Sequence, residues 1–322
     1  MIEMRVLLTF WSILGLSLGK QFFFNEDREF TILQMTDLHL DLNPITDKVT
    51  HQVQRDLLEA VKPDLVIVTG DIVAGNQWDK YGPKEGYFEK VWKGFTEPFS
   101  EYKVYYAITI GNHDSEADLN AAQIMALDQT HPFSVSKSNN NLSNPGTYTI
   151  QIYSSIQPDN VSANIWIFDS GDYACSGGPD GYGCIEPDQI EWYNRESAKF
   201  KEKYGTHAQH LAFFHIPIPE FMKVYNHKSF FGYRGEGAHC AFRDHGFFKA
   251  VKENKDISAI FVGHDHYNNY GGSLDGIELI YGRKTGEAAY GPPPGFQKGG
   301  RVIKLKEAQR PDGSLEVTKI HY

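Results

Sequence analysis

The stretch Val104-Tyr105-Tyr106-Ala107-Ile108-Thr109-Ile110-Gly111-Asn112-His113-Asp114 decides how this chain is read. Its first seven residues are apolar, β-branched or aromatic, which predicts a buried strand. Its last four then set an amide, an imidazole and a carboxylate at that strand's C-terminal end. In open α/β sheets ligands sit at such ends, and Gly111 is expected to let the backbone turn sharply there. In isolation the tetrapeptide reads better as a helix cap, so its weight depends on the chain around it.

Upstream, residues 30–35 read as a strand that ends at Thr36-Asp37-Leu38-His39. Residues 47–61 carry Val49, Val53, Leu57, Leu58 and Val61 at helical spacing, and Pro63 stops that helix. Residues 65–69 form a second apolar strand ending at Gly70-Asp71, and a helix near 87–99 leads to the third. Strand–helix alternation with short connections predicts a mostly parallel sheet. Downstream, 118–128 reads as helix, 147–153 and 163–168 as strands, and 186–204 as an amphipathic helix with Pro187 at its start. Residues 210–214 form a strand that ends at His215, and 257–262 one that ends at Gly263-His264-Asp265-His266. In a strand-like turn alternate residues point the same way, so His264 and His266 can face one centre.

The chain has 322 residues, 41% of them hydrophobic and 14% aromatic, enough for one catalytic-size α/β domain. A net charge of −10 disfavours a nucleic-acid partner. It also means that an anionic substrate needs a local positive centre. Arg5, the apolar run 6–16 and Ser17-Leu18-Gly19 read as an export signal over 1–19, with the mature domain covering 20–322. The run is too short for a comfortable membrane span, so the destination is secretion or an endomembrane or vacuolar lumen. Asn141-Leu142-Ser143 and Asn160-Val161-Ser162 are glycosylation acceptor patterns. Cys175 and Cys184 flank a Gly-rich loop, and a disulfide there would add roughly 2–3 kcal/mol. Cys240 is then left as a free thiol, unless it pairs with one of the other two.

Asp37, His39, Asp71, Asn112, His215, His264 and His266 all fall at strand ends. This oxygen and nitrogen set without a thiolate suits Zn, Mn or Fe rather than Ca. The donors are too many for one four-coordinate ion and fit two divalent metals that share one carboxylate. Two metals roughly 3.5–4 Å apart suit displacement at phosphorus.

Asp37-Leu38-His39, Gly70-Asp71, Gly111-Asn112-His113-Asp114, His215 and Gly263-His264-Asp265-His266, in that order, resemble the motif set of calcineurin-like metallophosphoesterases. Asp169-Ser170-Gly171-Asp172-Tyr173, Phe214-His215-Ile216-Pro217, Gly235-Glu236-Gly237 and Gly246-Phe247-Phe248 resemble the small single-domain relatives of purple acid phosphatases. Those enzymes carry a metal-bound tyrosine three residues after the bridging aspartate, where this chain has Ala74. Its absence argues for two divalent ions and a colourless protein. The resemblance implies a four-layer α/β-β/α sandwich of two mixed sheets flanked by helices. It implies that Asp37, His39 and His266 hold one metal, that Asn112, His215 and His264 hold the other, and that Asp71 bridges. A metal-bound hydroxide would attack, His113 would protonate the leaving oxygen, and Asp114 would orient His113. Tyr267 and Arg283 are candidate substrate contacts, and Tyr173 and Lys284 lie on loops expected to border the site. The expected substrate is a phosphate ester, a monoester or phosphoprotein first and a nucleotide or lipid diester as the alternative. A secreted binding protein that keeps the metals without turnover is the rival from another class.

Mass spectrometry of protein exported by a glycosylating cell should find an N-terminus at Lys20 or Gln21 and glycans at Asn141 or Asn160. An intact Met1 with bare asparagines would return the chain to the cytosol.

Overall fold

The computed structural model describes residues 20–179, 181–206, 208–227, 229–309 and 315–321, so the expected export signal lies outside it. In chain order the described residues form β1 (Phe22–Phe23), β2 (Glu29–Met35), α1 (Thr46–Val61), β3 (Leu65–Thr69), α2 (Trp78–Tyr81), α3 (Tyr87–Tyr102) and β4 (Tyr106–Thr109). Then come α4 (Ala121–Asp128), β5 (Tyr148–Tyr153), β6 (Val161–Ile167), α5 (Pro187–Tyr204), β7 (Gln209–Phe213) and α6 (Glu220–Asn226). The remainder is α7 (Phe247–Asn254), β8 (Ile257–Val262), β9 (Gly271–Leu274), β10 (Ile277–Tyr281), β11 (Arg301–Gln309) and β12 (Leu315–His321).

β2, β3 and β4 pair in parallel, as their alternation with helices requires, and β11 joins β2 in antiparallel register with Ile303 opposite Ile32. The resulting five-stranded sheet runs β12-β11-β2-β3-β4. A seven-stranded sheet runs β1-β5-β6-β7-β8-β10-β9. Both sheets are mixed, and together with their helices they form the four-layer sandwich.

Side-chain alternation builds the layers. Along β6 and β7, Ala163, Ile165, Ile167, Leu211 and Phe213 join the core between the sheets. Their neighbours Trp166, Phe168, Ala212 and Phe214 enter a second core with Trp192 and Tyr193 of α5, Phe221 of α6, and Phe247 and Val251 of α7. A period of two with both faces apolar is the pattern of a strand covered on both sides. Leu58 of α1 and Trp92, Phe95 and Phe99 of α3 close the outer face of the other sheet.

The start of α4 differs from the sequence reading for a local reason. α4 starts at Ala121 because Asn120 and Gln123 form a reciprocal capping box. Asp118 instead accepts from the backbone of Gly86 and Phe88 and caps the start of α3.

Polar ties hold the two sheets in register near their C-terminal edges. Gln34 Nε2 donates to Val262 O at 3.1 Å, Thr109 Oγ1 to Phe168 O at 2.6 Å, and Tyr148 OH to Ile108 O at 2.7 Å. At the far end Glu307 of β11 is buried and accepts from Ser155 N at 3.0 Å, Ser155 Oγ at 2.9 Å and Ser162 Oγ. Glu307→Ala leaves those donors unpaired, so chemical denaturation should show a loss of about 2–4 kcal/mol. Glu307→Gln should lose less, because it keeps an acceptor.

Candidate metal centre and cleft

Five strand ends meet where the sheets face each other. Asp37 and His39 follow β2, Asp71 follows β3, Asn112 follows β4, His215 follows β7, and His264 and His266 follow β8. The loops lock together through backbone bonds from Asp37 N to Gly70 O, His39 N to Asp71 O and Gly263 N to His215 O. Asp37, His39, Asp71 and His264 take φ values of 54°, 49°, 50° and 81°. Left-handed backbone at a non-glycine residue is costly and collects at functional sites.

The side chains converge. Donor atoms of Asp37, His39, Asp71 and His266 lie within 4.8 Å of one another, as do those of Asp71, His215 and His264. Asp71 belongs to both sets. Its Oδ1 accepts from His113 N at 2.9 Å, so Oδ2 is the oxygen left to share. That Oδ2 lies 3.5 Å from His39 Nε2 and 3.2 Å from His215 Nε2. The imidazoles are aimed from behind: Nδ1 of His215 donates to Thr69 O and Nδ1 of His266 to Tyr290 O, each at 2.7 Å. A carbonyl only accepts, so both rings present an unprotonated Nε2 to the centre when neutral. Asn112 Nδ2 donates to Tyr173 OH at 3.2 Å, whereas its Oδ1 is buried without a hydrogen-bond partner. An orphaned buried oxygen beside two carboxylates and four imidazoles fits a divalent cation.

Electrostatics of the bare donors agree. Burial works against ionising Asp71, and the facing His215 outweighs it, holding the carboxyl well below its usual range. Burial pulls His215 down, and Asp71 outweighs that too, leaving the imidazole at about 10. Burial, with the neighbouring His215, pulls His264 down to about 4. The facing carboxylates thus favour positive charge at the centre of the cluster.

Gly111 does not take a left-handed conformation, contrary to the turn expected of it. A Cβ there would lie 2.2 Å from Asp71 N and 2.3 Å from Asp71 Oδ1, so the position requires glycine for close approach.

Comparison with known proteins gives the same answer. The profile of the calcineurin-like phosphoesterases matches residues 30–268. The chain belongs to the calcineurin-like phosphoesterase family. It is 31% identical to probable inactive purple acid phosphatase 29 of Arabidopsis thaliana, over 92% of this chain and 82% of that protein. It is 30% identical to probable inactive purple acid phosphatase 28 of the same plant, over 88% and 77%. A dimetal phosphatase from Danio rerio shares the fold at a TM-score of 0.57 and 13% identity, covering 91% of this chain and 99% of that one.

Within this phosphoesterase fold the metal donors open on a cleft of about 720 Å³, lined also by His113, Ala74, Lys80, Tyr182, Glu236, His239 and Tyr290. Three expectations need correction. Asp114 does not orient His113: its Oδ1 accepts from Ile72 N and Val73 N at 2.9 and 2.8 Å, and its Oδ2 from Gly111 N at 2.8 Å. Those three donors tie both oxygens of the buried carboxylate to the backbone of the two turns. Glu116 takes the other role, its Oε2 accepting from His113 Nδ1 at 2.7 Å. Burial pulls the His113 imidazole down, and Glu116 outweighs it, so its pKa is raised. Tyr267 and Arg283 do not reach the metal cleft; they line a separate pocket with Pro292, Pro293 and Phe296, and Arg283 Nε donates to Gln297 O. Lys284 is buried, with Nζ donating to Asp37 O at 3.0 Å, so it braces a ligand loop. Cys175 and Cys184 form a disulfide, and Cys240 is a half-buried free thiol.

Elemental analysis of metal-replete protein should find two divalent ions per chain and no strong visible absorption band. Asp71→Asn should release both and abolish the rise in melting temperature on adding Mn or Zn. One ion per chain, or a variant that retains two, would sink the shared-carboxylate assignment.

Proposed function

We propose that this protein is a dinuclear-metal phosphoesterase that hydrolyses phosphate esters, monoesters or phosphoproteins first. The observation that carries the reading is the sharing of Asp71 Oδ2 between two complete donor sets. Asp37, His39 and His266 would hold one divalent ion, Asn112, His215 and His264 the other, and Zn, Mn and Fe all suit these donors. When bound, such ions stabilise phosphoryl charge and acidify water. They also supply the positive centre that a chain of net charge −10 otherwise lacks.

The protein's own residues do the rest. His113 is bonded at Nδ1 to Glu116, and its ring lies 5.4 Å from the His39 ring, beside the ligands. Nδ1 is therefore committed, and Nε2 is the nitrogen free to give a proton to the leaving oxygen. Glu116 also accepts from Tyr173 OH at 3.0 Å, which fixes the carboxylate that fixes the imidazole. Asp114 keeps the backbone of the turn after β3 against that after β4.

Export belongs to the proposal and is supported by the disulfide and by the exposed Asn141 and Asn160. A second reading, a metal-holding binding protein without turnover, is favoured by the names of the two Arabidopsis relatives, which call them probable inactive. Hydrolysis of an aryl phosphate and a bis-aryl phosphate with added Mn or Zn separates the two and ranks monoester against diester.

His113→Ala should keep both metals and the fold while losing ~10²- to 10⁴-fold in rate. The loss should grow as the leaving group worsens from aryl phenolate to alkyl alkoxide. Glu116→Gln should show a weaker form of the same slope. Equal losses across the series would refute the proton-donor role.

A further inference from the structure

A second imidazole–carboxylate pair faces the same cleft, and none of the roles above uses it. His239 sits between α6 and α7, its side chain 52% exposed. Its Nδ1 donates to Asp265 Oδ1 at 2.6 Å, and its backbone N–H donates to Asp265 Oδ2 at 3.2 Å. Asp265 lies between His264 and His266, is itself buried, and accepts from Tyr281 OH at 2.6 Å. The anchor is therefore rigid. It commits Nδ1 and leaves Nε2, on the far side of the ring, with no hydrogen-bond partner among the described residues.

The two imidazoles that are not metal donors come from different sheets. His113 follows β4 of the five-stranded sheet, and His239 belongs to a connection leaving β7 of the seven-stranded one. The metal donors lie between the two sheet edges. A phosphoryl group held there would share the cleft with both His113 and His239. The wall beyond is mostly polar, with Asn76, Gln77, Lys80, Glu236 and Glu287 lining the cleft. It offers no broad apolar groove.

We propose that His239 is a substrate-contacting residue whose Nε2 hydrogen-bonds a hydroxyl on the alcohol part of the ester, accepting from it when the ring is neutral and donating to it as an imidazolium. The cleft then selects phosphate esters of polar, hydroxyl-bearing alcohols over those of apolar alcohols of the same size. The inference deepens the phosphoesterase reading and rests on it. An Nε2 aimed at a substrate hydroxyl favours the ester that carries one over the analogue that lacks it.

Glycerol 1-phosphate and propyl phosphate match in size and differ in the hydroxyls, so kcat/KM on this pair reads the preference. Two substitutions separate substrate contact from a loop clamp. Asparagine mimics Nδ1 and keeps the bond to Asp265, whereas glutamine reaches toward the Nε2 position. His239→Asn should lose about 10-fold or more on glycerol 1-phosphate and stay within about twofold on propyl phosphate. His239→Gln should recover part of the preference, and both should keep their metals and melting temperature. An Asn variant that retains full preference, or one that slows both esters equally, overturns the inference. So does a wild-type protein that hydrolyses both esters equally well, which leaves the phosphoesterase reading standing. A wild-type protein that hydrolyses neither removes that reading, and this inference with it.

Discussion

One carboxylate oxygen has to serve two donor sets, and the geometry around Asp71 follows from that demand. Oδ1 is occupied by the His113 amide, which turns Oδ2 toward His39 and His215. To present it, the backbone at Asp71 enters the left-handed region, and the following turn must come so close that only Gly111 fits. Strained residues of this kind cost on the order of 1–3 kcal/mol each. Four of the seven donors carry that strain, and a sandwich with two apolar cores holds them in place.

Two carboxylates beside His113 divide the work by burial. Asp114 is enclosed, and burial, reinforced by Asp71, pushes its carboxyl up to about 7. Three backbone amides hold it, so it organises loops rather than an imidazole. Glu116 lies one helical turn beyond His113, partly open to solvent, and has the geometry that Asp114 lacks. Both oxygens of Asp114 point at backbone amides, and the imidazole is held by Glu116 instead.

The disulfide-closed segment supplies a wall of the cleft. Tyr173 and Tyr182 stack at 6.1 Å on either side of that cross-link. Tyr182 also sets an edge against His264 at 4.4 Å, and Tyr173 joins Asn112 to Glu116. This segment thus touches His264, Asn112 and the Glu116 that holds His113. Ala74 lines the same cleft and is itself buried.

The sequence by itself determined the parallel β2-β3-β4 order, the helices between them and the seven strand-end candidates, six of which the fold gathers into two donor groups. Each is a local matter: an apolar run of period two, a breaker, and a polar residue at the strand's end. The last four strands, β9 and β10 at one edge of the seven-stranded sheet and β11 and β12 at one edge of the five-stranded one, were not legible, because they are short or carry an exposed alternate face that resembles loop sequence. Glu116 had one local signal, its spacing of three from His113, which is one turn of helix. His239 had none, since it lies in coil and gains its meaning only from Asp265, 26 residues on. Tyr267 and Arg283 border a small neighbouring pocket that also includes His266, not the metal cleft itself, and nothing in their spacing told the two apart. Which oxygen of Asp71 is shared, which carboxylate holds His113, and which residues wall the cleft were decided by tertiary structure alone. Hydrogen-bond partnership and approach across two sheets depend on distances that no spacing along one chain encodes.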